Sequence, residues 1–311
     1  MSVPAVECRN LTHAYGDRKA LAGLDFQVAA GSLFALLGPN GGGKSTLFRI
    51  LATLMPPGGG TALVAGHDVV TAARDVRAAL GVAFQSPSLD VQLSVRENLI
   101  HQGHLYGLRG AELGRRIDEL LETFGLTERA ADRAKVLSGG LARRVDLAKA
   151  MLHAPRVLLL DEPSTGLDPG ARRDLLAALA ALRDAAGTTV LLTTHFTDEA
   201  AAADGVAVLD RGELVAQGAP ADLTREIGGD VVTLVTDNAE RTAEAAAGHL
   251  GHAVARDGDS IRFEHDEAAA VLPALLRELG DGVRSATIAR PTLEDVFFRR
   301  TGRTWSQNAP E

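Results

Sequence analysis

Cysteine, lysine, aromatic residues and long apolar runs are all scarce in this 311-residue chain. The single cysteine, Cys8, cannot form an internal disulfide, which favours a reducing compartment. No apolar run is long enough to span a bilayer, and residues 1–16 lack the apolar core of a secretory signal. We therefore expect a protein that is soluble, or that reaches a membrane only through a partner.

A surplus of basic residues is also absent. The net charge is −8, and residues 220–311 hold 16 of the 40 acidic residues but only 10 of the 32 basic ones. Binding to the phosphate backbone of nucleic acids needs the opposite balance, so we expect no nucleic-acid partner. Only four of the basic residues are lysines, which makes the position of each lysine informative.

Strand and helix patterns alternate through the first two thirds of the chain, which predicts an α/β fold with a mostly parallel sheet. Unbroken apolar runs at 33–37, 157–160 and 190–193 indicate strands that are covered on both faces. An alternating pattern at 6–12 predicts an edge strand. The other predicted elements are helices at 44–54, 94–106, 117–124 and 172–186, a strand at 82–84, a loop at 56–60 and a hairpin over 206–216.

The sequence changes character near Pro220. This change predicts a nucleotide-binding domain over 1–220 and a small α+β domain over 221–311, with a frayed tail at 306–311. The elements predicted for the second domain are strands at 231–236, 260–264 and 283–289, and helices at 239–250, at 266–279 and from 293.

A Gly-rich loop between the predicted strand 33–37 and the predicted helix 44–54 matches the pattern G-x-x-x-x-G-K-[ST]. It consists of Gly38, Pro39, Asn40, Gly41, Gly42, Gly43, Lys44, Ser45 and Thr46. Glycines let successive N–H groups turn towards an anion, and the helix adds its positive N-terminal end. We expect Lys44 to reach the β- and γ-phosphates of ATP and Ser45 to ligate Mg²⁺. An ordinary Gly-rich turn is the alternative, and the strand-loop-helix order argues against it.

Four polar residues follow predicted strands, at the edge where parallel α/β sheets bind ligands. Asp161 is placed to hold Mg²⁺, and Glu162 to act as the general base for the attacking water. His195 is placed to sense the γ-phosphate, and Gln85 to contact Mg²⁺ or the lytic water. Each residue alone could be an ordinary strand end or surface residue, and the phosphate loop favours the functional interpretation.

Tyr15 lies in a predicted loop after the first strand, where its ring could stack on adenine. Simple packing is the alternative for this aromatic side chain.

Together with Leu137-Ser138-Gly139-Gly140 (the signature segment) and residues 164–168, these residues resemble ATP-binding cassette (ABC) ATPases over about residues 3–220. The resemblance implies that family's P-loop NTPase fold, with a mostly parallel core sheet, an antiparallel β-subdomain and a helical subdomain at about 86–152. It also implies that Ser138, Gly139 and Gly140 bind ATP held by a second subunit, and that Asp168 couples the two sites.

Residues 141–148 and 291–297 further resemble the ATPases of bacterial drug and polysaccharide exporters, including the daunorubicin-resistance type. The family at large commonly has Gln after the signature segment, whereas this chain has Leu141, as the exporter subgroup often has an apolar residue there. The resemblance implies an ATP- and Mg²⁺-dependent ATPase at the cytoplasmic face of the cell membrane. Its partners would be a second copy, paired head-to-tail, and an integral membrane permease docked on residues 86–106.

Two other functions stay open at this point. A soluble cassette ATPase acting in DNA repair or on ribosomes would carry a long coiled-coil insertion or two cassettes, and this chain has neither. A P-loop kinase outside the family would lack the signature segment and His195. The sequence does not predict the cargo of an exporter.

Overall fold

Two separate structural units make up the computed structural model, which describes residues 3–252 and 254–303. The first unit ends at Gln217 and the second begins at Gly218. The strands of the first unit are β1 (Val6–Tyr15), β2 (Arg18–Val28), β3 (Leu33–Leu37), β4 (Gly59–Val64), β5 (His67–Asp68), β6 (Leu80–Ala83), β7 (Val157–Asp161), β8 (Thr189–Thr194), β9 (Gly205–Asp210) and β10 (Glu213–Gly218). Its helices are α1 (Lys44–Leu51), α2 (Ala73–Ala79), α3 (Val95–Leu105), α4 (Gly110–Thr123), α5 (Gly139–Ala150), α6 (Pro169–Ala186) and α7 (Thr197–Ala201).

The main sheet of the first unit has six strands in the order β10-β9-β3-β8-β7-β6. The pairs that β3 makes with β8 and β9, and that β7 makes with β6 and β8, are all parallel. Consecutive side chains of a strand point to opposite faces, and nearly all side chains of β3, β7 and β8 are buried, so both faces of the sheet are covered there. This confirms the predicted α/β fold with a mostly parallel sheet.

A second sheet of the first unit has the order β2-β1-β4-β5 with antiparallel pairs. Its strand β1 covers the predicted strand at 6–12, but it lies between β2 and β4, so the predicted edge position is wrong. The polar position Glu7 tolerates this interior place because its carboxylate accepts hydrogen bonds from Arg9 Nε (2.8 Å) and Gln27 Nε2 (2.9 Å). The predicted loop at 56–60 is also partly wrong, since Gly59 begins β4.

Helices α3, α4 and α5 lie between β6 and β7 in the chain, and α3 packs against both α4 and α5. The predicted helix at 94–106 is confirmed as α3, and a capping box begins it: Ser94 accepts from the Glu97 N–H, and the Glu97 carboxylate accepts from Ser94. Other predicted bounds shift, because α1 stops at Leu51 and α4 begins at Gly110. Strand β6 ends at Ala83, which leaves Phe84 and Gln85 in the following loop.

The second unit consists of α8 (Pro220–Arg225), β11 (Asp230–Thr236), α9 (Ala239–Leu250), β12 (Ala255–Asp257), β13 (Ser260–His265), α10 (Ala268–Leu279), β14 (Val283–Ala289) and α11 (Leu293–Thr301). Its sheet has the order β12-β13-β11-β14, and α9 and α10 pack on it over an apolar core of its own. The predicted tail at 306–311 lies outside the described residues. In the described ranges no helix is both long and apolar enough to cross a bilayer.

Candidate nucleotide site

The loop of residues 38–43 joins β3 to α1 and passes very close to neighbouring backbone. A Cβ on Gly38 would lie 2.3 Å from the carbonyl oxygen of Leu209, and one on Gly43 would lie 2.6 Å from that of Ala20. Gly43 also has φ 105°, in the left-handed region that favours glycine. The close approach and the left-handed turn together require glycine at these two positions, which fixes the curvature of the loop at the N-terminus of α1.

Lys44 begins α1 and lies under this loop, with 4% of its surface exposed. Its Nζ donates to the carbonyl oxygens of Gly38 (2.6 Å) and Pro39 (3.1 Å). Burial lowers the pKa of Lys44, and the carboxylates of Glu162 and Asp161 oppose that shift. A buried ammonium that donates to carbonyls gains from an anion beside it, so the loop fits a phosphate group.

The cleft above the loop has a volume of about 190 Å³. It is lined by Tyr15, Arg18, Ala20, residues 40–46, Arg49 and Glu162. Tyr15 is the last residue of β1, so its predicted place in a loop is wrong. Tyr15 is 46% exposed, and its ring makes a T-shaped contact with that of His13, with the centroids 4.8 Å apart.

Asp161 and Glu162 stand at the end of β7, where Asp161 is paired in register with Thr193 of β8. Thr193 Oγ1 donates to Asp161 Oδ1 (2.7 Å) and accepts from the Glu162 N–H (2.9 Å). Burial raises the pKa of Asp161, and the hydrogen bond from Thr193 partly offsets it. Glu162 has φ 43°, a strained value for a residue other than glycine.

Three polar side chains surround the Glu162 carboxylate. Glu162 Oε2 accepts from Thr165 Oγ1 (3.2 Å) and Gln85 Nε2 (3.4 Å), and it lies 3.6 Å from His195 Nδ1. His195 Nδ1 is buried and has no hydrogen-bond partner among the described residues. The structure thus brings together Gln85, Glu162 and His195.

The donor set near the loop fits Mg²⁺ bound together with phosphates. The side chains of Ser45, Asp161 and Gln85 carry oxygen atoms of the kind that Mg²⁺ prefers, and the buried Asp161 carboxylate would gain from a cation. The described residues contain no cluster of three or more His, Cys, Asp or Glu side chains that could hold a metal alone. Mg²⁺ commonly binds through one or two carboxylates and substrate phosphates, so this sparse set is no objection.

The signature segment and Asp168 do not line the cleft at Lys44. Ser138 caps α5 by accepting from the Leu141 N–H (3.4 Å), and Asp168 caps α6 by accepting from Gly170 (2.9 Å). Ser138, Gly139, Gly140, Leu141 and Asp168 instead line a second cavity of about 680 Å³. The single chain therefore does not unite the two groups of predicted nucleotide-binding residues.

Two groups of residues that hold this site were not predicted from the sequence. Thr193 links Asp161 to Glu162, and its signal is a threonine at the end of an apolar strand. Arg143 and Asp146 are buried charges on α5 that contact the loops carrying Gln85 and Glu162. Their signal is a pair of opposite charges three residues apart on a helix, which sequence alone does not distinguish from a surface pair.

Comparisons with known proteins find relatives over nearly the whole chain. A family model described as ABC transporter matches residues 21–165. A daunorubicin/doxorubicin resistance ATP-binding protein of Streptomyces peucetius is 40% identical over 306 residues, covering 96% of this chain and 92% of the relative. A Nod factor export ATP-binding protein of Cupriavidus metallidurans is 39% identical over 301 residues, covering 96% and 97%.

One solved structure has a fold similar to a large part of this chain. It is the dimeric post-hydrolysis state of an ATP-binding cassette bound to ADP and Pi, with a TM-score of 0.61 and 26% identity. The match covers 69% of this chain and 98% of the other.

Proposed function

Because the chain belongs to the ABC transporter family of ATP-binding proteins, and so binds and hydrolyses ATP, we propose that it drives the export of drugs or other amphipathic compounds. The relatives named for daunorubicin resistance and Nod factor export support this cargo class. Their similarity extends over nearly the whole chain, which favours a transporter subunit over a DNA-repair or ribosomal ATPase. The structural neighbours have the predicted P-loop cassette fold.

The convergence of Gln85, Thr165 and His195 on the Glu162 carboxylate is the observation that carries the catalytic assignment. Glu162 takes a proton from the attacking water as general base, and Gln85 and His195 orient that water and the γ-phosphate. A residue with strained backbone angles persists only where its surroundings hold it in place. The hydrogen bond from the Glu162 N–H to Thr193 Oγ1 holds Glu162 in this way.

The lining of the cleft supports the binding roles. Lys44 and the N–H groups of residues 40–46 hold the phosphates, and Tyr15 packs against the adenine ring. Ser45, Asp161 and Gln85 would hold Mg²⁺, which neutralises phosphate charge when bound.

The subunit works in a dimer with a membrane permease, as the family does, and we infer that the dimer is a head-to-tail homodimer. The separation of the signature segment from the Lys44 cleft supports this arrangement, because Ser138, Gly139 and Gly140 then contact ATP held by the second copy. Asp168 lies in the same cavity as Ser138 and couples the two sites. The permease docks on residues 86–106, which places the subunit at the cytoplasmic face of the cell membrane.

Glu162→Gln tests the general base. We expect ATP binding to persist while kcat falls by roughly 10²- to 10⁴-fold, because the amide cannot accept the proton. The ATP-bound dimer should accumulate, as measured by light scattering after gel filtration. Glu112→Gln, an exposed change on α4, is the matched control and should behave as wild type. Normal turnover in Glu162→Gln would refute the assignment.

Ser138→Arg tests the shared site. The larger, charged side chain would block the surface that meets the second copy's ATP, so hydrolysis should stop while one subunit still binds ATP. Nucleotide titration and phosphate release measure the two properties separately. Hydrolysis at the wild-type rate would rule out a composite site.

A further inference from the structure

Three charged residues three positions apart, Arg143, Asp146 and Lys149, lie on α5 towards the loop that follows β6. The side chains of Arg143 and Asp146 are only 4% and 2% exposed. Burying charges costs free energy unless each charge is paired and hydrogen-bonded. The hydrogen bonds of the Arg143–Asp146 pair show which parts of the backbone it holds in place.

The Arg143 guanidinium reaches three backbone carbonyls from two different loops. Its Nε donates to Pro163 O (2.8 Å), its Nη2 to Asp161 O (3.2 Å) and its Nη1 to Phe84 O. Phe84 directly precedes Gln85, while Asp161 and Pro163 flank Glu162. One rigid group therefore ties down the backbone at both residues that meet in the site.

Asp146 and Lys149 hold the other end of the loop after β6. Asp146 Oδ2 lies 3.4 Å from Arg143 Nη1, and its Oδ1 accepts from the Ser88 N–H (3.0 Å) and Oγ–H (2.9 Å). Lys149 Nζ donates to Ser88 O. Residues 84–88 are thus fixed to α5 at their first and last residues.

We propose that Arg143 is a positioning residue that sets Gln85 against Glu162, with Asp146 and Lys149 anchoring the loop that carries Gln85. This inference rests on the proposed roles of Glu162 and Gln85. Gln85 Nε2 and Glu162 Oε2 are 3.4 Å apart, and a misplacement of about 1 Å at a reacting centre can cost about 10²-fold in rate. The same helix begins at the signature segment, so the contacts also connect that segment to the chain's own catalytic loops.

Arg143→Gln is the first test, made in the full-length chain. Glutamine cannot reach three carbonyls at once, so we expect kcat to fall by roughly 10- to 100-fold while KM and the affinity for a fluorescent ATP analogue change by less than about twofold. Arg143→Lys keeps the charge but lacks the planar fork, so it should recover only part of kcat. Arg115→Gln, the same change at a side chain that is 68% exposed on α4, should leave kcat unchanged.

A spectroscopic test reports on the loop itself. Cys8 is buried, so Ser86→Cys adds a single accessible thiol for a spin label in the loop. We expect the label to be more mobile in the Arg143→Gln and Asp146→Asn backgrounds than in the wild-type and Arg115→Gln backgrounds. Asp146→Asn is a smaller change, because it removes only the charge that neutralises Arg143. If Arg143→Gln fails to fold, the label mobility in Asp146→Asn still tests the proposal.

Wild-type kcat in Arg143→Gln, unchanged label mobility, or a parallel loss of ATP affinity and turnover would each overturn the positioning role. Failure of the proposed function would look different. In that case the wild type would lack ATPase activity, or Glu162→Gln would turn over normally in the same assay.

Discussion

The Thr193 hydroxyl is the smallest group on which the candidate site depends. It donates to Asp161 and accepts from the Glu162 N–H, so its removal frees both acidic residues at once. We expect Thr193→Val, which keeps the shape, to lower kcat roughly 10- to 100-fold, because hydrogen bonds to charged groups are worth about 1.5–3 kcal/mol. Thr193→Ser should keep most of the activity. Steady-state ATPase measurements decide, and equal rates for the valine and serine variants would contradict the prediction.

Asp161 carries a stability cost that depends on pH. Its pKa is raised in the folded state by burial, so the nucleotide-free protein loses stability as the pH rises from about 3.9 through the raised value. We expect Asp161→Asn to have the higher free energy of unfolding at pH 7, with the difference shrinking towards acid as the carboxyl takes up its proton. Urea titrations of the nucleotide-free variants at several pH values measure it. A wild type that is more stable than the variant at pH 7 would refute the burial argument.

Some residues of the candidate site could be predicted from the sequence, and others could not. Gln85, Glu162 and His195 were predicted to meet because each follows a strand, and parallel strands end at one edge of a sheet. Thr193 and Arg143 were not predicted because their partners are distant in sequence. The register of β7 with β8 brings Thr193 to Asp161, and the packing of α5 brings Arg143 to Pro163. Periodicity reports which face a residue lies on, and it does not report which distant group it meets.

Among the elements, unbroken apolar strands were the most predictable. β3, β7 and β8 appear close to their predicted bounds because burial on both faces leaves a strong apolar run. β1 was wrongly predicted to be an edge strand because it carries the polar residue Glu7. Glu7 is tolerated inside the sheet because it accepts hydrogen bonds from Arg9 of β1 and Gln27 of β2. Short or mixed elements such as β2 and α2 carry no such pattern and were missed.

The loop before α1 makes a test at the scale of an element. Gly43→Ala places a Cβ 2.6 Å from the Ala20 carbonyl oxygen at φ 105°, so we expect the loop to shift and ATP affinity to fall at least tenfold. Gly114→Ala is the matched control on α4, where a Cβ meets nothing within 4 Å. That change should stabilise the chain by about 0.5–1 kcal/mol and leave ATP affinity unchanged. Isothermal titration and thermal melts measure both, and normal ATP binding by Gly43→Ala would contradict the loop argument.

At the scale of the whole molecule, each unit buries an apolar core from its own residues. The second unit has the core of β11, β13, α9 and α10, whereas the residues that line the nucleotide cleft all lie before Gln217. A chain that ends at Gln217 therefore loses no cleft residue and no part of the first unit's core.

We expect that shortened chain to bind ATP within about twofold of the full-length affinity, and to gain thermal stability from ATP as the full-length chain does. Leu234→Ala tests the independence of the two cores without truncation. Leu234 is fully buried in the second unit's core, so the substitution should lower that unit's free energy of unfolding by about 2–5 kcal/mol. ATP affinity should survive that change, because the cleft draws its rigidity from β3, β7 and α1 instead. If either variant folded but lost ATP binding, the nucleotide cleft would depend on the second unit, and the cores would not be independent.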